Sequence, residues 1–256
     1  MSPSAGLLRI VGLGPGPDHW VTPEARAALD EATALVGYKT YADRVPERAG
    51  LARYCSDNRA EIERARQALS LASEGRVVAL VSGGDPGVFA MAAAVFEAVE
   101  SGDRAWRALD IRVLPGVSAM QAAAARLGAP LGHDFCAISL SDNLKPWSII
   151  ARRLEAAAQG DFVIALYNPA SRARPQSIHD AFALLRALKD GATPVAFARA
   201  VGRPEERIVL TTLAKADPGL ADMSTLVLIG SSETRFIERG EAAPWLLTPR
   251  SYGAGR

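Results

Sequence analysis

Short apolar, β-branched runs alternate with Ala/Leu-rich stretches along the whole chain, joined by a few Gly, Pro, Ser, Asn or Asp residues. Such a chain folds as α/β with largely parallel strands, because each helix carries the chain back to the same edge of a sheet. The predicted strands are Leu7–Val11, Arg76–Val81, Ile111–Leu114, Phe135–Leu140, Phe162–Tyr167, Val195–Ala198, Ile208–Leu210 and Leu226–Ile229. The predicted helices are Pro23–Ala34, Ala60–Ala72, Val88–Glu100, Ser118–Leu127, Ser148–Ala158 and Gln176–Leu188, with a further short one at Leu213–Ala216. In the first helix Thr22 can cap, Pro23 suits the first position, and Ala25, Ala28, Leu29 and Ala32 share one face. A structure-breaking stretch, Leu127-Gly128-Ala129-Pro130-Leu131-Gly132, separates two such series. The expectation is two α/β domains, 1–116 and 117–245, with mostly parallel central sheets, a ligand cleft between them and a loose tail over 246–256.

Bulk properties narrow the function classes. The 256 residues are enough to bury a sizeable core, and 49% hydrophobic with 22% charged residues is ordinary for a globular protein. A net charge of +1 argues against a chain-wide nucleic-acid footprint but leaves room for a local basic pocket. The two cysteines, Cys55 and Cys136, match no metal or redox spacing, and the three histidines, His19, His133 and His179, do not cluster. No metal site is expected. Neither a membrane-length apolar run nor a secretory pattern is visible, so a cytoplasmic location is the default expectation.

The polar residues collect at strand ends. Arg76–Val81 runs into Ser82-Gly83-Gly84-Asp85-Pro86-Gly87, and Ile111–Leu114 into Pro115-Gly116-Val117-Ser118-Ala119. Phe162–Tyr167 runs into Asn168-Pro169-Ala170-Ser171-Arg172, and Val195–Ala198 into Arg199-Ala200-Val201-Gly202. Any one of these loops reads as ordinary turn chemistry. Together they point to a site assembled at the carboxyl ends of strands, where open α/β sheets bind ligands.

The first loop, Gly12-Leu13-Gly14-Pro15-Gly16-Pro17, invites a phosphate reading and fails it. A dinucleotide fingerprint needs Gly-x-Gly-x-x-Gly spacing and a helix starting just behind the glycines. Here the glycines fall at 12, 14 and 16, two prolines interrupt, and the helix waits until Pro23. Tyr38 and Lys39 follow Leu35-Val36-Gly37, where a ribose-holding acid would be sought, and a Walker-type Gly-Lys-Ser/Thr end is missing. What remains is a stiff loop whose glycines allow close backbone approach.

Gly12-Leu13-Gly14-Pro15-Gly16 with Thr22-Pro23-Glu24-Ala25 resembles the opening of the tetrapyrrole methylase family. Ser82-Gly83-Gly84-Asp85-Pro86, Pro115-Gly116-Val117-Ser118-Ala119, and Arg203-Pro204-Glu205-Glu206-Arg207-Ile208-Val209 before Thr211-Thr212-Leu213 resemble its later signatures, in order across 7–235. Gly37-Tyr38-Lys39-Thr40-Tyr41, Ser139-Leu140-Ser141-Asp142 leading to Pro146-Trp147, and Ala165-Leu166-Tyr167-Asn168-Pro169-Ala170-Ser171-Arg172 resemble one branch of it. That branch methylates carbon 17 of a corrin precursor and helps contract the macrocycle during cobalamin synthesis.

The resemblance implies two α/β domains and S-adenosylmethionine as methyl donor, with S-adenosylhomocysteine as product. It carries donor contacts onto Pro15, Gly83, Gly84, Asp85, Val88, Ser118, Ala119, Tyr167, Asn168, Ala198 and Thr225. It also implies an anionic tetrapyrrole substrate and, by inheritance, a homodimer, with no nucleic-acid or membrane partner. Carboxylates on a macrocycle call for cations, and Lys39, Lys145, Arg172, Arg174 and Arg199 lie in the relevant loops. Ring contraction would be helped by a general base, for which Asp142, Asp85 and His133 are candidates. Three readings stay open beside this one: a sister enzyme on the cobalt-containing, oxygen-independent route, a family member that methylates a macromolecule, and a non-catalytic tetrapyrrole carrier.

Overall fold

The computed structural model describes residues 6–57, 60–143, 145–171 and 174–253. The chain divides into two compact units, Met1–Ala119 and Met120–Arg256.

The first unit runs β1 (Leu7–Gly12), α1 (Pro23–Glu31), β2 (Ala34–Tyr38), α2 (Lys39–Ala42), β3 (Ala52–Ser56), α3 (Glu61–Ser73), β4 (Val77–Ser82), α4 (Met91–Ser101) and β5 (Asp110–Leu114). Its five strands form one sheet in the order β3-β2-β4-β1-β5, and every pairing is parallel. Helices cover both faces, so the central strands are apolar almost throughout. Leu8, Ile10, Val36 and Leu80 pack with Leu69 of α3 and Val95 of α4. Val11, Leu35 and Val81 pack on the other face with Ala25 and Ala28 of α1.

The cap of α1 is as expected: the Ala25 N–H donates to Thr22 Oγ1 at 3.2 Å. That helix stops at Glu31 instead of Ala34, because the Thr33 N–H already donates to Val77 O at 2.8 Å as the chain enters β2. Helix α4 likewise begins at Met91, not Val88, since Phe89 sits at φ 52, outside helical backbone. The sequence reading touched β2 only as a short run and missed β3. The latter is an edge strand carrying Arg53 and Ser56, which blurs its apolar pattern.

The second unit contains α5 (Ala119–Leu127, entered from the first), β6 (Gly128–Ala129), β7 (Phe135–Ser139), α6 (Trp147–Gln159), β8 (Val163–Tyr167), α7 (Gln176–Leu188), β9 (Pro194–Arg199), β10 (Arg207–Thr212), β11 (Thr225–Ile229), β12 (Arg235–Arg239) and β13 (Ala242–Leu247). Its main sheet has the order β10-β9-β11-β8-β7, with β7 parallel to β8 and the other three pairings antiparallel. The expectation of a mostly parallel sheet is therefore corrected here. Strands β7, β8 and β9 share one direction because α6 and α7 return the chain between them. No α-helix follows β9 or β10, only a three-residue 3-10 turn at Pro218–Leu220 after β10, and a parallel return needs a crossover of a dozen or more residues. The predicted helix at Leu213–Ala216 is a turn, with the Ala216 N–H donating to Thr212 O at 2.8 Å. The core of this unit is anchored by Phe182 and Phe197, both fully buried and stacked at 5.8 Å between ring centres. Truncating either ring would cost about 3–5 kcal/mol.

The expected loose tail from 246 is also corrected. Strands β12, β13 and β6 form a small third sheet that takes in Leu246 and Leu247. Leu246 and Thr248 are both 1% exposed, and Thr248 Oγ1 donates to Pro130 O at 2.6 Å. Farther on, the Tyr252 hydroxyl donates to Asp161 Oδ2 at 2.8 Å. Burial and that carboxylate push the Tyr252 phenol up to about 12.

Candidate active site

At the carboxyl edge of the first sheet, three loops meet through glycine. The Gly14 and Gly84 N–H groups each donate to the other's carbonyl at 3.1 Å, a two-residue antiparallel bridge between the loops after β1 and β4. A Cβ on Gly12 would lie 2.7 Å from Gly116 N, and one on Gly116 would lie 2.4 Å from Gly84 O. Gly14 at φ 64 and Gly84 at φ 67 also need left-handed backbone. A Cβ on Gly83 would come within 2.5 Å of the Tyr41 ring. At Gly12 and Gly116 the loops are thus packed backbone on backbone with no space for a Cβ, whereas a Cβ at Gly84 would have its nearest neighbour at 3.9 Å.

Asp85 ties two of these loops together. Its Oδ1 accepts from Gly87 N at 2.8 Å and its Oδ2 from Gly116 N at 3.0 Å. With both oxygens held by backbone donors, this carboxylate clamps the loops, and its geometry does not favour the tentative role of base. Val88 closes the same turn, its N–H donating to Asp85 O at 3.3 Å. Pro15 is half-buried between the bridged glycine and Gly16, Ser118 is buried, and Ala119 opens α5.

Sequence reasoning missed Arg44, just beyond α2. Its guanidinium donates to Leu13 O at 2.6 Å, Gly14 O at 2.7 Å and Gly16 O at 2.8 Å, holding the first loop by three carbonyls. No local pattern marks an arginine that acts on backbone thirty positions earlier.

At the carboxyl edge of β7, β8 and β9, side chains do the joining. Asn168, at φ 50, donates from Nδ2 to Ser139 Oγ at 3.0 Å, and the same oxygen accepts from Ser141 N at 3.3 Å. Tyr167 Oη accepts the Met120 N–H at 3.0 Å, satisfying a first-turn donor of α5. Arg174 holds Asp142 at 3.4 Å and donates to Leu140 O at 3.3 Å. The candidate base Asp142 is thus ion-paired to a candidate substrate cation.

Arg199 and Thr225 share a partner that sequence did not reveal. Arg199 Nε donates to Asp222 Oδ2 at 2.8 Å, and Thr225 Oγ1 donates to Asp222 Oδ1 at 2.8 Å. Burial alone would raise the Asp222 carboxyl, but hydrogen bonds from Thr225, Arg199 and Ser224 N hold it below its ordinary value. Ala198 is buried in the adjoining strand, opposite Ile208 and Leu226. Glu206, in the late signature, accepts from Gly202 N at 2.6 Å and from Arg126 Nε at 3.0 Å, fastening the β9–β10 turn to α5.

The remaining candidates fall elsewhere. Lys39 is exposed and pairs with Asp43 at 2.9 Å, and that partner raises its pKa. Burial, with Arg153 nearby, lowers the Lys145 ammonium. Arg172 lies outside the described residues. His133 precedes β7, at the opposite end of the sheet from Ser139 and Tyr167, so it does not join this edge. Its Nδ1 accepts from Asp134 N at 2.7 Å and its ring meets Tyr252 edge-on at 4.7 Å. Among the described residues, no group of three or more His, Cys, Asp or Glu could hold a metal ion, and no helix is long and apolar enough to cross a membrane.

This assembly of glycine loops and tied strand ends can be set beside known proteins. The chain is 54% identical over 247 residues to a precorrin-3B C(17)-methyltransferase from Sinorhizobium sp, covering 96% of this chain and 97% of the relative. It is 42% identical to a probable cobalt-factor III C(17)-methyltransferase from Salmonella typhimurium, covering 96% of this chain and 99% of that one. Its structure matches the crystal structure of the methyltransferase CobJ with a TM-score of 0.90 and 50% identity, over 95% of this chain and all of that one. A uroporphyrin-III C-methyltransferase from Thermus thermophilus, solved in complex with S-adenosyl homocysteine, shares the fold at 24% identity and a TM-score of 0.63, covering 88% and 97% of the two chains. The model for tetrapyrrole (corrin/porphyrin) methylases matches residues 8–217. With most of its length inside that model, the chain belongs to the tetrapyrrole methylase family.

Proposed function

We propose that this protein is a precorrin-3B C17-methyltransferase, moving a methyl group from S-adenosylmethionine to carbon 17 of the macrocycle with ring contraction to precorrin-4. The observation that carries the reading is the 54% identity to such an enzyme across nearly the whole of both chains. The site chemistry supports it. Methyl transfer from a sulfonium to carbon is an in-line displacement, which asks the protein to align two partners and exclude water. No nucleophilic side chain is needed.

Bare backbone surface remains at Gly84, where a Cβ would meet nothing nearer than 3.9 Å, and it suits a ligand approached through backbone groups; Gly12 and Gly116 are taken up by loop-on-loop contact. Asp85 keeps that surface in one shape. Arg174 and Arg199 supply the guanidinium groups suited to macrocycle carboxylates, each already oriented by an aspartate. In this reading the donor contacts are Pro15, Gly83, Gly84, Val88, Ser118, Ala119, Tyr167, Asn168, Ala198 and Thr225. Asp142 remains the acid–base candidate for contraction, acting beside Arg174.

A cobalt-containing substrate is the competing form, favoured by the 42% identity to the Salmonella protein and disfavoured by the gap between the two identities. The test is incubation with isotopically labelled methyl donor and precorrin-3B or cobalt-factor III, read by mass and absorption spectra. A singly methylated, contracted product from precorrin-3B is expected. Turnover of the cobalt form alone would move the assignment to the other route. Absence of S-adenosylhomocysteine binding would remove the methyltransferase reading altogether.

A further inference from the structure

We propose that Arg44 is a positioning residue for the methyl-donor loop, and that α2 with the turn behind it is the element that sets two of the three glycine loops of the first unit, those after β1 and β4. The inference rests on the methyltransferase reading above. Two side chains from this short element reach two different loops. Tyr41 lies against Gly83 so closely that a Cβ there would be 2.5 Å from its ring. Arg44 spans the carbonyls of Leu13, Gly14 and Gly16 at 2.6–2.8 Å. The Arg44 backbone is itself fixed, its N–H donating to Tyr41 O at 3.1 Å.

The geometry explains why an arginine stands here. The three carbonyls are divided between two nitrogens, Nη1 taking Gly14 and Nη2 taking Leu13 and Gly16, a spread that the single point of an ammonium does not reproduce. Hydrogen bonds from an ionised donor are roughly twice as strong as neutral ones. The three contacts bracket Pro15, which lacks an N–H of its own. The same stretch contains Gly14, whose backbone bridges Gly84 in both directions. Because Gly14 O accepts both from Arg44 and from Gly84 N, holding this carbonyl fixes the first loop and, through the bridge, the loop of Gly83 and Gly84. Arg44 touches neither reacting atom in this scheme; it acts through the loop.

A cavity of about 30 Å³ lies beside Arg44, lined also by Leu13, Asp18, Arg26 and Val45. Removing the side chain would open this space further, enough to admit a free guanidinium ion.

The experiment compares wild-type protein with Arg44→Lys and Arg44→Ala, measuring S-adenosylhomocysteine affinity by calorimetry, KM for the donor, kcat at saturating donor, and far-UV circular dichroism. Losing the fork should weaken product affinity and raise the donor KM by about ten-fold or more, from the strength of charge-assisted bonds. Saturating kcat should change far less. Arg44→Lys should recover only part of the affinity, and millimolar guanidinium should restore Arg44→Ala but not wild type. A merely structural arginine would lower the melting temperature without splitting KM from kcat and without rescue. If folded Arg44→Lys binds S-adenosylhomocysteine within two-fold of wild type, with an unchanged donor KM, the inference is overturned even should Arg44→Ala fail to fold. If wild type itself does not bind, the functional reading falls and takes this inference with it.

Discussion

Gly12, Gly84 and Gly116 meet backbone to backbone at the carboxyl edge of the first sheet, whereas Ser139, Asn168, Asp222 and Thr225 are joined through side chains at the edge of the second. In the first unit, Gly12 and Gly116 have no side chain where the loops touch. In the second, polar side chains are kept and each is given a partner. The backbone strain differs accordingly. Left-handed backbone in the first set of loops falls on Gly14 and Gly84, where it costs little, with Phe89 beyond them. In the second set it falls on Gly202 but also on Asn168 and Ala200, where surrounding contacts must hold it. One edge is shaped by what its residues lack, the other by what they bond to.

That contrast can be broken most forcefully at Gly116. Its Cβ would sit 2.4 Å from a backbone oxygen, and backbone cannot swing aside as a flexible side chain can. Gly116→Ala should destabilise the protein by about 3 kcal/mol, the upper end of overpacking costs, and abolish measurable S-adenosylhomocysteine binding. Urea unfolding with a ligand titration would check both, and a loss below 1 kcal/mol would mean the loops are not packed as tightly as described.

A smaller effect is expected at Asp85. Asparagine keeps one acceptor oxygen for two backbone donors, so Asp85→Asn should cost about 1–2 kcal/mol, mainly in loop order and donor affinity. Unchanged affinity in the variant would remove the clamp from the account.

The side-chain edge can be probed by pH. Asp222 has a folded pKa held below its unfolded one, so its contribution is present above the unfolded value near 4 and is lost as pH falls through the folded one. Because the carboxylate is 46% exposed, solvent screening limits the effect to about 1 kcal/mol or less. Stability of Asp222→Asn, followed by chemical unfolding from pH 7 down to 3, should therefore fall less steeply on acidification than wild type. Parallel acid limbs for the two proteins would show that the Arg199–Asp222–Thr225 cluster carries no pH-dependent stability.

The least effect is predicted at Ala200, which sits at φ 49 and is 7% exposed. Ala200→Gly relieves left-handed strain but gives up one buried methyl, two contributions of about 1 kcal/mol or less that oppose each other. A net change within about 0.5 kcal/mol is expected. Thermal melts showing a loss of more than about 1.5 kcal/mol would indicate that packing of the methyl, and not strain, governs this turn.

Residues whose role is set by their neighbours in sequence were readable. Thr22 and Pro23 announced the start of α1, and the alternation of strand and helix through 7–114 pointed to a parallel sheet, of whose five strands three, β1, β4 and β5, were predicted. The loops at Gly12–Pro17, Gly83–Asp85 and Pro115–Ala119 stood out because glycine and proline dictate backbone shape locally. What a local pattern cannot contain is the identity of a distant partner. Arg44 and Asp222 found their partners only once folding brought the first to Leu13, Gly14 and Gly16 and the second to Arg199. The direction of β10 and β11, and the burial of Leu246 and Thr248, were likewise settled by pairing with far strands. Sequence alone determined the α/β class and the glycine-lined loops, which follow from periodicity and backbone freedom, and the family resemblance, which rests on matched motifs. The tertiary structure decided which charges hold those loops and which strands turn back, because hydrogen-bond partners and sheet neighbours are matters of space, not of order along the chain.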